Sequence, residues 1–146
     1  MGLLITPELG PRVRLAVVTT DLPLVADRRS KDYSVIDFCT RCEKCAIVCP
    51  SKAIPFGDRA EIGGVRRWQI NSEACFTFWC QAGTDCGRCM RVCPYSHPNN
   101  MLHNVVRFGV RSSPLFRSFA IKMDDLVYGK KPPPLALPGW MDIKQA

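Results

Sequence analysis

Cys39-Thr40-Arg41-Cys42-Glu43-Lys44-Cys45-Ala46-Ile47-Val48-Cys49-Pro50 decides how the chain reads. Its spacing, C-x2-C-x2-C-x3-C-P, is the bacterial ferredoxin run for a [4Fe–4S] cluster. Iron in a cubane takes soft thiolates in tetrahedral arrangement, and the two-residue gaps let one tight loop offer three of them to one cube. The proline after the fourth cysteine removes a backbone donor and helps turn the chain away. Cys75, Cys86, Cys89 and Cys93 form a second, less regular group, also closed by a proline, Pro94, and Cys80 is left over. Eight ligands make two cubane sites, so the chain reads first as an electron conductor.

In two-cluster ferredoxins the fourth cysteine of the run serves the other cluster. That exchange gives Cys39, Cys42, Cys45 and Cys93 to the first cluster. The second takes Cys49, Cys86, Cys89 and one more. A regular motif would place that last ligand where this chain has Gly83, which leaves Cys75 and Cys80 as alternatives. Backbone N–H groups in both loops are expected to donate to sulfur and raise the reduction potential. Gly87 is expected to permit close backbone approach.

Other uses of nine cysteines in 146 residues fit less well. A disulfide-stapled secreted domain would begin with a signal peptide, and Met1 to Leu9 has neither a basic n-region nor an apolar h-region. As written, the chain carries no export signal and reads as cytoplasmic. Zinc sites usually pair two CxxC units across a longer loop, often with histidine. Only His97 and His103 exist here, and neither has ligand spacing to a cysteine pair. No apolar run approaches the roughly 20 residues of a membrane span. The formal net charge of +7 invites a nucleic-acid reading. Two dianionic clusters would lower that charge to about +3, and the basic residues are scattered, so no nucleic-acid partner is expected.

Around the motifs, Arg12 to Val18 alternates well enough for a strand, one lacking the neighbours it would need to bury an apolar face. Residues 28–38 read as a polar linker. Gly63-Gly64 can turn, with a strand from Val65 to Ile70, giving a hairpin-like lobe between the motifs. Two helices are expected beyond the second motif. Ser96-x-Pro98 starts one, with Met101, Leu102, Val105 and Val106 on its apolar side. Ser113-Pro114 opens the other, with Leu115, Phe119, Met123 and Leu126 at core spacing and Gly129 as its stop. Residues 130–146 form a Pro-rich tail, expected to lie extended with Trp140 as an anchor.

The second motif in its setting is more specific than either run alone. Trp68-x4-Glu73-x-Cys75-x3-Trp79-x3-Gly83-Thr84-Asp85-Cys86-x2-Cys89-x3-Cys93-Pro94 resembles the iron–sulfur portion of corrinoid-dependent reductive dehalogenases. Gly2-Leu3-Leu4-Ile5-Thr6-Pro7, Gly10 to Leu15 and Thr19 to Leu24 look like the segment that family places just before its first cluster motif. Lys131-Pro132-Pro133 through Trp140 looks like its C-terminal end. Epoxyqueuosine reductase is a more distant relative.

The resemblance implies an α+β fold: a ferredoxin-like 2[4Fe–4S] domain over residues 31–110, preceded by a strand-and-loop remnant of a corrinoid-binding domain (1–30). A C-terminal helix and tail would follow (111–146). It implies that two clusters feed a cobalamin, which removes halogen from an organohalide. It assigns Cys75 as the second cluster's last ligand and leaves Cys80 as a buried small apolar residue. Arg12 or Arg14 would match the family's basic residue near its catalytic tyrosine. That tyrosine and most of the corrinoid domain lie N-terminal to this region in family members. The chain is therefore expected to be a fragment or separate subunit, inactive alone. Its implied partners are that N-terminal catalytic domain, the corrinoid, the organohalide, and an electron donor such as reduced ferredoxin, a flavoprotein or a quinone-linked membrane partner. Full-length relatives are often exported and membrane-associated. The reading from another class is a stand-alone ferredoxin-like carrier.

Overall fold

The computed structural model describes residues 2–26 and 32–131. Six helices, one 3-10 turn and a two-stranded sheet make up its regular structure: α1 (Ser34–Cys42), α2 (Lys44–Ile47), β1 (Ala60–Ile62), β2 (Val65–Arg67), α3 (Ser72–Ala82), α4 (Arg88–Arg91), the turn Pro94–Ser96, α5 (Met101–Ser112) and α6 (Pro114–Tyr128).

Local chemistry sets most of these ends. Asp32 accepts from the Ser34 N–H at 2.9 Å and from its hydroxyl at 2.6 Å, organising the start of α1. Asn71, Asn100 and Ser113 each accept from a backbone N–H three residues on, capping α3, α5 and α6. Pro114 sits in the first turn of α6, and Gly129 follows its last residue, as the sequence predicts. Ala60↔Arg67 and Ile62↔Val65 pair across the Gly63-Gly64 turn, so the expected hairpin is present, with a strand shorter than Val65 to Ile70.

Four expectations are corrected. Residues 12–18 form no strand; near them only an isolated bridge joins Thr6 and Gly10. The cause is the missing neighbours: no second strand borders the segment among the described residues, and Leu15, Val17 and Val18 stand exposed. The linker over 28–38 gives way at Ser34 to α1, whose apolar face the linker's polar start conceals. α5 begins at Met101 because Asn100 outcompetes Ser96, which is drawn into the 3-10 turn. The residues taken for the cores of α5 and α6 are largely exposed: Leu102 at 70%, Leu115 at 85%, Leu126 at 80%. Among the described residues nothing covers that face. The expectation for an extended tail anchored by Trp140 falls mostly outside the described residues.

Burial is concentrated in two small clusters beside the cysteines. Ala46 and Ile54 form one, with Cys39, Cys45, Cys49, Cys89, Trp68 and Ile70 packed on them. Phe38, Val110 and Ala120 form the other, with Cys42, Tyr95, Phe116 and Ile121 against them. The first joins α2 to the loops of both motifs, and the second holds α5 and α6 against α1. The N-terminal loop docks through Gly10, where a Cβ would lie 2.1 Å from the Tyr95 carbonyl oxygen; only glycine allows that approach. No helix among the described residues is long and apolar enough to cross a membrane.

Candidate metal centre

The cysteine-bearing loops share a local design. Cys42 is followed by Glu43 at φ 51° and Cys86 by Gly87 at φ 59°, both left-handed. Each turns the chain so that the next residues start a short helix, α2 or α4, from which Cys45 or Cys89 projects. At Gly87 the positive φ favours glycine, and an added Cβ would meet, among protein atoms, only Met90 Cε at 3.7 Å. Glu43 is held in place by accepting the Gly57 N–H at 2.6 Å.

All nine cysteines are free thiols. Cys39, Cys42, Cys45 and Cys93 come close enough to feel one another's charge. Burial pushes Cys93 up to about 12; the Tyr95 N–H pulls it back, and Cys39, Cys42 and Cys45 push it further up. Burial likewise raises Cys42 to about 12, and raises Cys39 and Cys45. Cys49, Cys75, Cys86 and Cys89 make a second group. Burial raises Cys89 to about 11, with Cys45, Cys86 and Cys49 adding to it, and raises Cys75, with Cys49 and Cys86 adding. Cys49 differs. Burial pushes it up too, but the Ser51 hydroxyl and the N–H groups of Ala53, Ile54 and Ser51 outweigh that and hold it below its ordinary value. The Ala53 N–H lies 3.3 Å from its sulfur and Ser51 Oγ 3.5 Å.

Burial and the nearness of the other three thiols oppose ionisation of each, so with no cation among them they stay protonated. A cationic iron–sulfur core reverses that logic, since bound thiolates are the favoured form. The donor set fits such a core: soft sulfur in fours, with no histidine. Cys49, Cys75, Cys86 and Cys89 line one half-open cavity of ≈ 960 Å³. Zinc would require its donors about 2.3 Å from one point. Among the described residues no three Cys, His, Asp or Glu side chains converge on a point that a single ion could hold.

Arg12 and Arg14 also line that cavity, together with Leu3, Trp79 and Arg88. Arg14 lies 3.7 Å from Asp85 in a pair that is mostly exposed. Cys80 is exposed on α3, which corrects its reading as a buried apolar residue: it projects from the helix on a side that nothing described covers. Residues that the motif reading passed over are Lys44, His97 and Asp124. Lys44 is only 1% exposed, lies between two cysteines, and is paired with Asp124 and Asp125 of α6. The sequence signal was the lysine inside the cysteine run, with two adjacent aspartates on a helix otherwise read for its apolar spacing.

Comparison with known proteins extends this picture. A model of the 4Fe-4S dicluster domain matches residues 38–97. Tetrachloroethene reductive dehalogenase of Sulfurospirillum multivorans is 40% identical over 139 residues, covering 90% of this chain and 28% of that protein. The chain is a reductive dehalogenase homologue. A second tetrachloroethene reductive dehalogenase, from Desulfitobacterium hafniense, is 36% identical over 85% of the chain and 24% of its own length. Among solved structures, the catabolic reductive dehalogenase NpRdhA superposes with a TM-score of 0.80 at 35% identity, covering 88% of this chain and 18% of NpRdhA. Another reductive dehalogenase structure, described as suggesting a mechanism for B12-dependent dehalogenation, gives 0.79 at the same identity. The chain thus spans about a quarter of the curated reductive dehalogenases it matches, and that quarter holds the dicluster domain.

Proposed function

We propose that the chain is the electron-transfer portion of a cobalamin-dependent reductive dehalogenase. Cys39, Cys42, Cys45 and Cys93 hold one [4Fe–4S] cluster, and Cys49, Cys75, Cys86 and Cys89 hold the other. Bound, the clusters supply one-electron carriers and the corrinoid supplies the centre at which an organohalide exchanges halogen for hydrogen. The chain's own residues do the rest. The left-handed turns at Glu43 and Gly87 aim thiolates inward, while the apolar cluster around Ala46 packs on cysteines of both sites and the one around Phe38 on Cys42 of the first. Arg12, Arg14 and Arg88 border the second site and favour an anionic ligand or cluster there.

The observation that carries this reading is the reach of the similarity. It covers 85–90% of the chain, well past residues 38–97, and so takes in the N-terminal loop and helices that a free-standing ferredoxin-like carrier has no need of. Residues 1–30 are then the end of a corrinoid-binding domain, residues 31–110 the dicluster domain and residues 111–146 its C-terminal extension. The exposed apolar faces of residues 12–25 and of α5 and α6 are surfaces for the remainder of such an enzyme. The cluster of Cys49 and Cys75 faces the corrinoid. The other takes electrons from the donor, for which reduced ferredoxin, a flavoprotein or a quinone-linked partner are the classes to try.

The test is anaerobic reconstitution with iron and sulfide, reduction, and mixing with cobalamin and a halogenated substrate. The reduced clusters are expected to be reoxidised by cobalamin, with no steady halide release. Clusters that stay reduced would contradict electron delivery to a corrinoid. Steady halide release would contradict the need for a catalytic domain.

A further inference from the structure

Asp124 lies on α6, far in sequence from every cysteine, yet its two carboxylate oxygens reach both loops that carry the first group of thiols. Oδ2 pairs with the ammonium of Lys44, which sits between Cys42 and Cys45. Oδ1 lies 2.5 Å from Nε2 of His97, which follows Cys93 across the 3-10 turn. Both contacts are enclosed: the side chains of Lys44 and Asp124 are 1% and 9% exposed. The assembly is held from outside as well. Asp125 lies 2.9 Å from the Lys44 ammonium, the His97 ring stacks on Tyr128 at 4.0 Å, and the Arg107 guanidinium donates to the His97 carbonyl at 2.7 Å.

We infer that Asp124 is a positioning residue for the first cluster. One carboxylate ties the Cys42–Cys45 loop to the Cys93 loop, fixing from behind the spacing that the ligand set needs. It also sets the charge beside the cluster by balancing Lys44. An ordinary helix-anchoring ion pair would need only one of these loops. No equivalent clamp joins the second group of thiols among the described residues, so the effect is confined to one cluster. This inference rests on the two-cluster reading above.

The experiment uses the full chain, reconstituted anaerobically with iron and sulfide. Iron content and the two midpoint potentials are read by reductive titration followed by electron paramagnetic resonance. Cys42→Ser identifies which signal belongs to the first cluster. Asp124→Asn keeps the side chain's size and removes its charge. The first cluster is expected either to move to higher potential, because one of the two carboxylates that balance Lys44 loses its charge, or to be lost, with iron falling toward half. The second cluster keeps its midpoint and line shape. Lys44→Met is expected to move the first cluster the opposite way, to lower potential, or likewise to lose it alone. A purely structural pair gives no such reversal of sign. Unchanged potentials and line shapes in both variants overturn the inference, as does an equal response of the two clusters. Failure of the unsubstituted chain to take up two clusters overturns the cluster reading itself, and this inference with it.

Discussion

Cys42-Glu43-Lys44-Cys45 and Cys86-Gly87-Arg88-Cys89 are the same device built twice. In each, a left-handed residue follows the first cysteine, and a basic residue then opens a helix of four residues. A Cys-Pro step closes each run. The basic residues part company. Lys44 is buried against Asp124 and Asp125, whereas Arg88 is exposed at the rim of a ≈ 960 Å³ cavity. One half is closed from behind by α6. The other is open and bordered by a loop whose apolar side chains face solvent. A sealed carrier beside an open one is what an electron relay into a neighbouring domain needs, since water is kept from one end and the partner is admitted at the other.

The largest expected effect belongs to the open half's distant ligand. Cys75→Ser is expected to abolish one cluster and cut bound iron from about eight to about four per chain. Cys80→Ser, five residues away on the same helix, is expected to keep all of it. Equal iron in the two variants would reassign the ligand. Next come the basic residues. Lys44→Gln leaves the enclosed carboxylate of Asp124 without its ammonium partner and is expected to cost about 3 kcal/mol of folding stability in denaturant titration. Arg88→Gln, exposed, is expected to stay within about 0.5 kcal/mol.

What the sequence makes legible follows from how local each signal is. Cysteine spacing is a short-range property, so the run from Cys39 to Cys49, the run from Cys86 to Cys93 and the turn at Gly63-Gly64 can be read directly, whereas spacing alone leaves Cys75 and Cys80 as alternatives for the last ligand. The Ser113 cap and the Gly129 stop are local for the same reason. α1 is hidden because its start depends on Asp32 bonding to Ser34 after a run of charged residues, which reads as linker. The buried role of Lys44 is invisible because its partners lie 80 residues away, and nothing in a helix pattern distinguishes Asp124 from a solvated aspartate. Helical periodicity in α5 and α6 correctly gives helices. It gives the wrong burial because an apolar stripe says only that some surface covers it, not that this chain supplies that surface.

Smaller effects belong to the left-handed turns and to the acidic edge of the sealed half. Gly87→Ala places a side chain at φ 59° and is expected to cost roughly 1–2 kcal/mol in the open half. Glu43→Gly relieves that cost in the sealed half but removes the acceptor for the Gly57 N–H, so its net change is expected to be smaller. The weakest effect is acid sensitivity at the edge of the sealed half. Hydrogen bonds from the Ser34 and Arg111 side chains and the Ser34 N–H lower Asp32 to about 2; Arg117 and Arg41 lower Asp37 against its partial burial. Asp32 binds fewer protons folded than unfolded between about 2 and its ordinary 3.8, and Asp37 is displaced in the same direction. The stabilisation from Asp32 is therefore full above the ordinary carboxylate value and lost as pH falls from about 4 toward 2. Asp32→Asn is expected to flatten that part of the apo-protein's stability profile in thermal melts at graded pH.

Everything proposed for this chain depends on its holding two carriers of the same kind. Coulometric reduction of the anaerobically reconstituted chain, read against its iron content, counts them. About eight irons and uptake of about two electrons per chain are expected, one for each cluster, in two resolvable steps. Uptake of a single electron with four irons, or a colourless protein saturated by zinc that takes up none, would contradict two carriers.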